Sequence, residues 1–253
     1  MTRTLSLIAA GGIATALVCL PLAAILYHHS GASRSWAWSD HLDWFNDDDD
    51  DNDDAKDKGS SGGQTAARDF DWNGGDQLEL DVPGNLHFQP AAEWHLSIRA
   101  PQRVLDRLSV NDGRIALKPG RRHHWVALDI ELSGPTLRDI TLNGTGKLVL
   151  DHLQQDSLAV AIHGSGSVRA TGSVESLKLD IMGSGDARLE QLAARSAKIF
   201  IAGSGNADIA PSDDADVFIA GSGDVRLHTH PKHLSSKVAG SGRIIELSGE
   251  QTT

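Results

Sequence analysis

The sequence predicts an all-β protein, a right-handed parallel β-helix or β-solenoid with coils of roughly 19 residues, preceded by an N-terminal membrane helix and an acidic linker. A Gly-x-Gly motif returns six times, as Gly144-Thr145-Gly146, Gly164-Ser165-Gly166, Gly183-Ser184-Gly185, Gly203-Ser204-Gly205, Gly221-Ser222-Gly223 and Gly240-Ser241-Gly242, with first glycines 20, 19, 20, 18 and 19 residues apart. Apolar residues recur at fixed offsets on both sides of every copy. Aromatic residues make up only 5% of the chain, which suits a narrow interior filled by branched aliphatic side chains.

Aligned on the first glycine, the copies carry Leu142, Ile162, Ile181, Ile201, Ile219 and Val238 two residues before it, and Ile140, Val160, Leu179, Ile199, Val217 and Ser236 four before. Alternate positions share one face of a strand. After the glycine the same rhythm resumes with Leu148, Val168, Ala187, Ala207, Val225 and Ile244, then Leu150, Ala170, Leu189, Ile209, Leu227 and Glu246. Each repeat therefore reads strand, tight corner, strand, return. Gly144, Gly164, Gly183, Gly203, Gly221 and Gly240 are the structural corners, where a positive φ is costly for any residue with a Cβ. One such unit cannot bury its apolar face alone, whereas stacked units form continuous columns, with strands pairing in parallel at about 4.8 Å. Right-handedness follows from the handedness of parallel crossovers. The leucine-rich repeat, which a similar period permits, lacks its L-x-x-L-x-L pattern here.

Residues 1–30 form a membrane anchor or signal sequence. Leu5 to Tyr27 are free of charge and follow Arg3, a run long enough to span a bilayer with the N-terminus inside. Ser30-Gly31-Ala32 supplies the small residues of a cleavage site, so removal of the segment stays an alternative. The single cysteine, Cys19, excludes an internal disulfide framework, and Ala16-Leu17-Val18 before it lacks the small residue of a lipidation site.

Residues 31–65 combine an aromatic juxtamembrane segment with an acidic linker. Trp36, Trp38, Trp44 and Phe45 suit the headgroup level of a membrane, or a short partner-binding motif. Residues 40–58 hold ten Asp and two Lys, a net −8 of the chain's −11. Such a composition repels itself and stays extended. A calcium loop begun at Asp49 would need Gly and Glu where Asp54 and Ser60 stand, so no metal or other cofactor is expected. The remainder is only mildly acidic, which argues against a nucleic-acid partner.

Residues 66–136 read as an N-terminal β part capping the solenoid. Alternation runs from Phe70 through Leu78, Leu80 and Val82, turns at Pro83-Gly84, and continues at Leu86 and Phe88. Leu96 and Ile98 mark another strand. Asp112-Gly113 joins Leu108 and Val110 to Ile115 and Leu117 as a hairpin, and Val126, Leu128, Ile130 and Leu132 lead into the first coil. Residues 137–253 are the repeat solenoid, with a short C-terminal cap where Glu246 breaks the inward column.

From about Phe70 to Leu247 these features resemble a bacterial family, the auto-transporter adhesin head GIN domain. The resemblance rests on the Leu78 to Phe88 stretch with its Pro83-Gly84 turn, on the Asp112-Gly113 hairpin, and on Gly-Ser-Gly followed by a polar and then an apolar residue, as in Gly183-Ser184-Gly185-Asp186-Ala187 and Gly221-Ser222-Gly223-Asp224-Val225. It implies a β-helical domain exported to the bacterial envelope.

Candidate chemistry is sparse. The column after each corner holds Lys147, Ser167, Asp186, Asn206, Asp224 and Arg243. Asp186 and Asp224, two coils and hence about 9.6 Å apart, fall near the upper limit for an inverting glycosidase pair; Asp and Asn at a corner also serve local hydrogen bonds. His228, His230 and His233 form the best histidine cluster, though Pro231 interrupts it and no cysteine is near. His123-His124 beside Arg121-Arg122 reads as an exposed loop. Phe200 and Phe218 stack outward on adjacent coils, as a binding patch or under a covering loop, and Arg188, Asp208 and Arg226 alternate in charge. The middle serines form a hydroxyl ladder. The leading expectation is a non-enzymatic cell-envelope protein that offers a solenoid surface to protein or glycan, anchored through residues 5–27. A polysaccharide lyase or hydrolase and a purely architectural spacer are the alternatives. Oligomeric state is left open.

Overall fold

The computed structural model describes residues 65–118 and 127–247. The described residues fall within one compact unit. The membrane segment 5–27, the aromatic residues 36–45, the acidic linker and the 121–124 loop lie outside the described residues. Among those described, no helix is long and apolar enough to cross a membrane.

The domain is a β-solenoid of stacked parallel coils. In chain order its elements are β1 (Thr65–Phe70), β2 (Gln77–Leu80), β3 (Gly84–Pro90), β4 (His95–Pro101), a single helical turn α1 (Gln102–Leu105), β5 (Leu108–Asn111), β6 (Arg114–Leu117), β7 (Leu128–Gly134) and β8 (Asp139–Gly144). Then come the long coil segments β9 (Lys147–Gly164), β10 (Ser167–Gly183), β11 (Asp186–Gly203) and β12 (Asn206–Gly221), followed by β13 (Asp224–Leu227), β14 (His233–Gly240) and β15 (Arg243–Glu246). Successive coils pair in parallel with like residues in register, as Ile162, Ile181 and Ile201 and Ile219 and Val238. This in-register stacking is what the repeat requires.

The Gly-x-Gly corners stand where the spacing places them. All six first glycines have positive φ, from 99° at Gly144 to 144° at Gly221. The middle residue's N–H donates to the first glycine of the coil before, as Ser204 to Gly183 at 2.8 Å and Ser222 to Gly203 at 2.8 Å. A backbone ladder thus joins successive corners, and Ser165, Ser184, Ser204, Ser222 and Ser241 on it are exposed.

The interior is dry. Leu148, Val168, Ala187, Ala207 and Val225 are at most 1% exposed. Beyond the columns read from the sequence lies another six residues before each corner, filled by Leu158, Leu177, Ala197 and Ala215, and the return segments add Leu153, Val174, Leu192 and Ala194. Differences in coil length are absorbed in those returns. Between Leu189 and Ala193 of β11 three residues have no counterpart on β12, where Ile209 and Ala210 are adjacent, and between Ala194 and Ser196 one residue faces two on β12. The net difference of two is the difference between a 20-residue and an 18-residue coil.

One expectation changes at the N-terminal end of the stack. The N-terminal part does more than cap. β2 pairs with β8 and β3 with β9, both in parallel, so Leu78 and Leu80 extend the columns of Ile140 and Leu142, and Leu86 and Phe88 those of Leu148 and Leu150. The Val82-Pro83-Gly84 turn is therefore a coil corner, with Gly84 at the level of Gly146. β6 and β7 stack beyond it on β2 and β3, so the order of coils in space is not their order in sequence. The antiparallel strands β4 on β7, β1 on β4 and β5 on β6 close this end. Asp112 and Gly113, both at positive φ, make the β5–β6 turn as the sequence predicts.

At the other end the expected short cap, placed in the residues after Leu247, lies outside the described residues. Every residue of β14 is exposed, with Leu234 at 36% and Val238 at 40%, and Glu246 pairs with His230 at 3.1 Å instead of closing the column. Among the described residues β14 and β15 pair only with β12 and β13.

Candidate functional site

The face built from the ends of β10, β11 and β12 and from β14 presents two outward columns near the corners that strand alternation sets beside the buried ones. One, three residues before each corner, runs Asp180, Phe200, Phe218 and Lys237. The next, one residue before the corner, runs Met182, Ala202, Ala220 and Ala239. Met182 is 47% exposed, and this apolar stripe lies on the solvent side of the sheet, where polar residues are the rule.

The predicted Phe200–Phe218 pair forms. Their centroids are 5.5 Å apart and their planes 5° from parallel. The rings turn their faces to each other, and Lys237 Nζ lies 5.7 Å from the Phe218 centroid, a cation–π distance. No loop covers the pair among the described residues, and both rings are half-buried.

On the other side of the aromatic column a shallow groove of about 380 Å³ crosses β10, β11, β12 and β14. Ser176, Ser196, Lys198, Asp214, Asp216, His233 and Ser235 supply its polar side chains, of which the Ser196 hydroxyl donates to the Glu175 carbonyl at 3.3 Å. Eight residues before each corner, at the groove's border, Glu175, Arg195, Asp213 and Lys232 form a continuous charge ladder: Arg195 lies 3.3 Å from Glu175 and 3.1 Å from Asp213, and Lys232 lies 2.7 Å from Asp213. Lys232 and Arg195 hold the Asp213 carboxyl below its ordinary range. The constant offset made this ladder readable in the sequence, but alternation of sign between coils hides it from a search for like residues.

Asp186 and Asp224 belong to a different arrangement from a catalytic pair. Asn206 Nδ2 donates to Asp186 at 3.0 Å, the Asp224 N–H donates to Asn206 Oδ1 at 3.1 Å, and the Arg243 guanidinium holds Asp224 at 2.6 Å. Asp224 is only 9% exposed, and its hydrogen bond and charge contact with Arg243 lower its pKa. A general acid needs the opposite shift. The predicted Asp208–Arg226 contact forms at 3.6 Å, and Arg188 is in register with Asp208.

The histidine cluster does not assemble. His228 pairs with Asp208 at 3.0 Å and His230 with Glu246 at 3.1 Å, while His233 lines the groove. Among the described residues no group of three or more His, Cys, Asp or Glu is placed to hold a metal ion.

The family model described as "Putative auto-transporter adhesin, head GIN domain" matches residues 75–231, more than half of the chain. The chain belongs to this family. Its head GIN domain thus extends from before β2 to beyond β13, taking in the N-terminal coil that lacks the Gly-x-Gly motif and leaving out the exposed last coil. Among solved structures, the crystal structure of "a putative adhesin" from Bacteroides fragilis NCTC 9343 matches with a TM-score of 0.61 at 17% identity, covering 73% of this chain and 97% of that one. That of a "Putative lipid binding protein" from Parabacteroides distasonis ATCC 8503 matches with a TM-score of 0.50 at 18% identity, covering 75% and 98%. At these identities the likeness is one of fold. No curated protein matches.

Proposed function

We infer that the chain is a non-enzymatic contact module of the bacterial cell envelope, exported with residues 5–27 as its anchor, and that the face carrying Phe200 and Phe218 makes the contact. The observation that carries this reading is the apolar stripe on the solvent side of that face, with Met182 47% exposed beside stacked phenylalanines. Exposed apolar surface of this kind marks interaction sites. The family's description and the description of the Bacteroides fragilis relative as an adhesin agree with it. The hydrolase alternative finds no support in the Asp186–Asp224 column, where Asn206 and Arg243 engage both carboxylates and Asp224 is held ionised.

Binding of the purified full-length chain to washed bacterial envelope fractions stripped of lipid, so that residues 5–27 find no bilayer, followed by co-sedimentation, tests the reading. Retention should fall at least tenfold when Phe200 and Phe218 are both changed to Ser, and equally when Ala202 and Ala220 are both changed to Glu, which places charge on the same stripe without touching the aromatic pair. Unchanged retention of both variants, with wild-type circular dichroism, would refute it.

A further inference from the structure

We propose that the groove beside the aromatic column binds a neutral oligosaccharide, a reading that deepens the contact function above by naming a ligand class and a site. The contrast between two neighbouring columns motivates it. Along the border every charge is paired, Glu175 through Lys232. Inside the groove the side chains of Lys198, Asp214, Asp216, His233 and Ser235 make no hydrogen bond or ion pair with any described residue. Lys198 and Asp216 stand directly opposite each other on β11 and β12 and still do not pair. The groove therefore presents donors and acceptors whose capacity is unused by the fold.

The chemistry of that set selects the ligand. Two carboxylates accept from vicinal hydroxyls, the Lys198 ammonium and the serine hydroxyls donate to ring and glycosidic oxygens, and imidazole does either. Two Asp against one Lys leave the groove neutral to slightly negative, which disfavours phosphates and uronates. Charged hydrogen bonds to hydroxyls are the stronger kind, and a site built to satisfy hydroxyl groups rejects ligands that lack them. Length agrees as well. The polar positions recur on four adjacent strands, a run of about 14 Å at the usual strand spacing, and each step is close to the length of one pyranose. Phe200 and Phe218, whose faces are turned to each other, stand two positions along their strands from the groove residues Lys198 and Asp216 and do not act as a stacking platform.

Isothermal titration and saturation-transfer NMR of the full-length chain against maltohexaose, cellohexaose and chitohexaose, with polygalacturonate as the anionic control, test the proposal. At least one neutral hexasaccharide should bind. Asp214→Ala and Asp216→Ala should each weaken it about tenfold, the loss of one charged hydrogen bond, and the double variant should abolish it. Ser184→Ala, at an exposed corner, should change nothing. The proposal fails if no hexasaccharide binds with Kd below about 10 mM, if polygalacturonate binds better than all three, or if the double variant retains binding. Should the hexasaccharides fail while the Phe200 and Phe218 substitutions still release the chain from envelopes, the contact reading stands with a protein as partner. Should wild-type chain not be retained on envelopes at all, that reading falls, and the saccharide titration decides the groove by itself.

Discussion

Each corner uses its two glycines for different physical reasons. Gly203 has φ at +134°, and a Cβ there would also lie 2.2 Å from the Gly183 carbonyl oxygen of the coil before. Gly205 has ordinary backbone angles, but its Cβ would meet the Gly185 carbonyl at 2.4 Å and Ile181 Cγ2 at 2.6 Å. The first glycine turns the chain, and the second lets coils approach while the inward Ile fills the corner. At Gly144, φ is +99° and nothing lies within 4 Å of an added Cβ. Gly144→Ala should therefore cost about 1–2 kcal/mol from backbone strain alone, and Gly203→Ala clearly more, because strain and overpacking add. Urea denaturation midpoints check the order; equal losses would show that φ is the whole effect. The sequence carried the first of these reasons plainly, since glycine at a repeated corner implies positive φ. The second depends on the distance between coils, which no single repeat contains.

Along the outward columns, elements are joined by ladders of side chains, and in two of these, neighbouring coils avoid stacked like charge. Asp186, Asn206, Asp224 and Arg243 alternate acceptor and donor from β11 to β15, just as Glu175, Arg195, Asp213 and Lys232 alternate sign. Asn206→Asp should remove the donor between two carboxylates and set three negative charges in one column, for a loss of about 1 kcal/mol at neutral pH. The loss should vanish below the carboxylate range, as a raised folded-state pKa matters only where the group is ionised. A pH-independent loss would mean that Asn206 acts through shape. The native ladders have the opposite sign. Arg243 lowers the pKa of Asp224, and Lys232 with Arg195 lowers that of Asp213. Their stabilisation is complete above the unfolded value of about 4 and disappears as pH falls through the lower folded values. Denaturation midpoints should fall steeply below about pH 4, and Asp213→Asn should flatten that slope; an unaltered slope in the variant would remove the ladder as its cause. From sequence, Asp186 and Asp224 could be either a reactive pair or a corner motif: the repeat places Arg243 on the next coil, but only the fold brings its guanidinium to 2.6 Å from the Asp224 carboxylate and so decides the direction of the shift.

A solenoid's stability is a sum of coils and of contacts between neighbours, so its two ends differ as their closures do. The six-fold repeat made the stack legible, because identical offsets demand identical positions. The N-terminal coil was hidden, because its corner is Val82-Pro83-Gly84 and because β2 and β3 insert between segments that follow them in sequence. Once placed, that end is sealed by three antiparallel pairings, with Trp94 5.7 Å from Trp72 and 6.4 Å from the buried Phe88. Among the described residues the C-terminal coil has one neighbour: β14 pairs with β12 and β15 with β13, and Ser236 and Glu246 stand where earlier coils bury aliphatic side chains. Local opening should therefore begin there, since few buried apolar contacts and solvent-facing amides lower the cost of opening. Native-state hydrogen exchange should show residues 233–246 unprotected or exchanging through opening far below the global free energy, protection rising through β12, and the slowest amides in β9 to β11. Ser236→Val, which completes the column of Val217, should raise protection in β14 without altering β9. Uniform protection across all coils would mean that the stack opens only as a whole, and that the exposed edge is energetically equivalent to its interior.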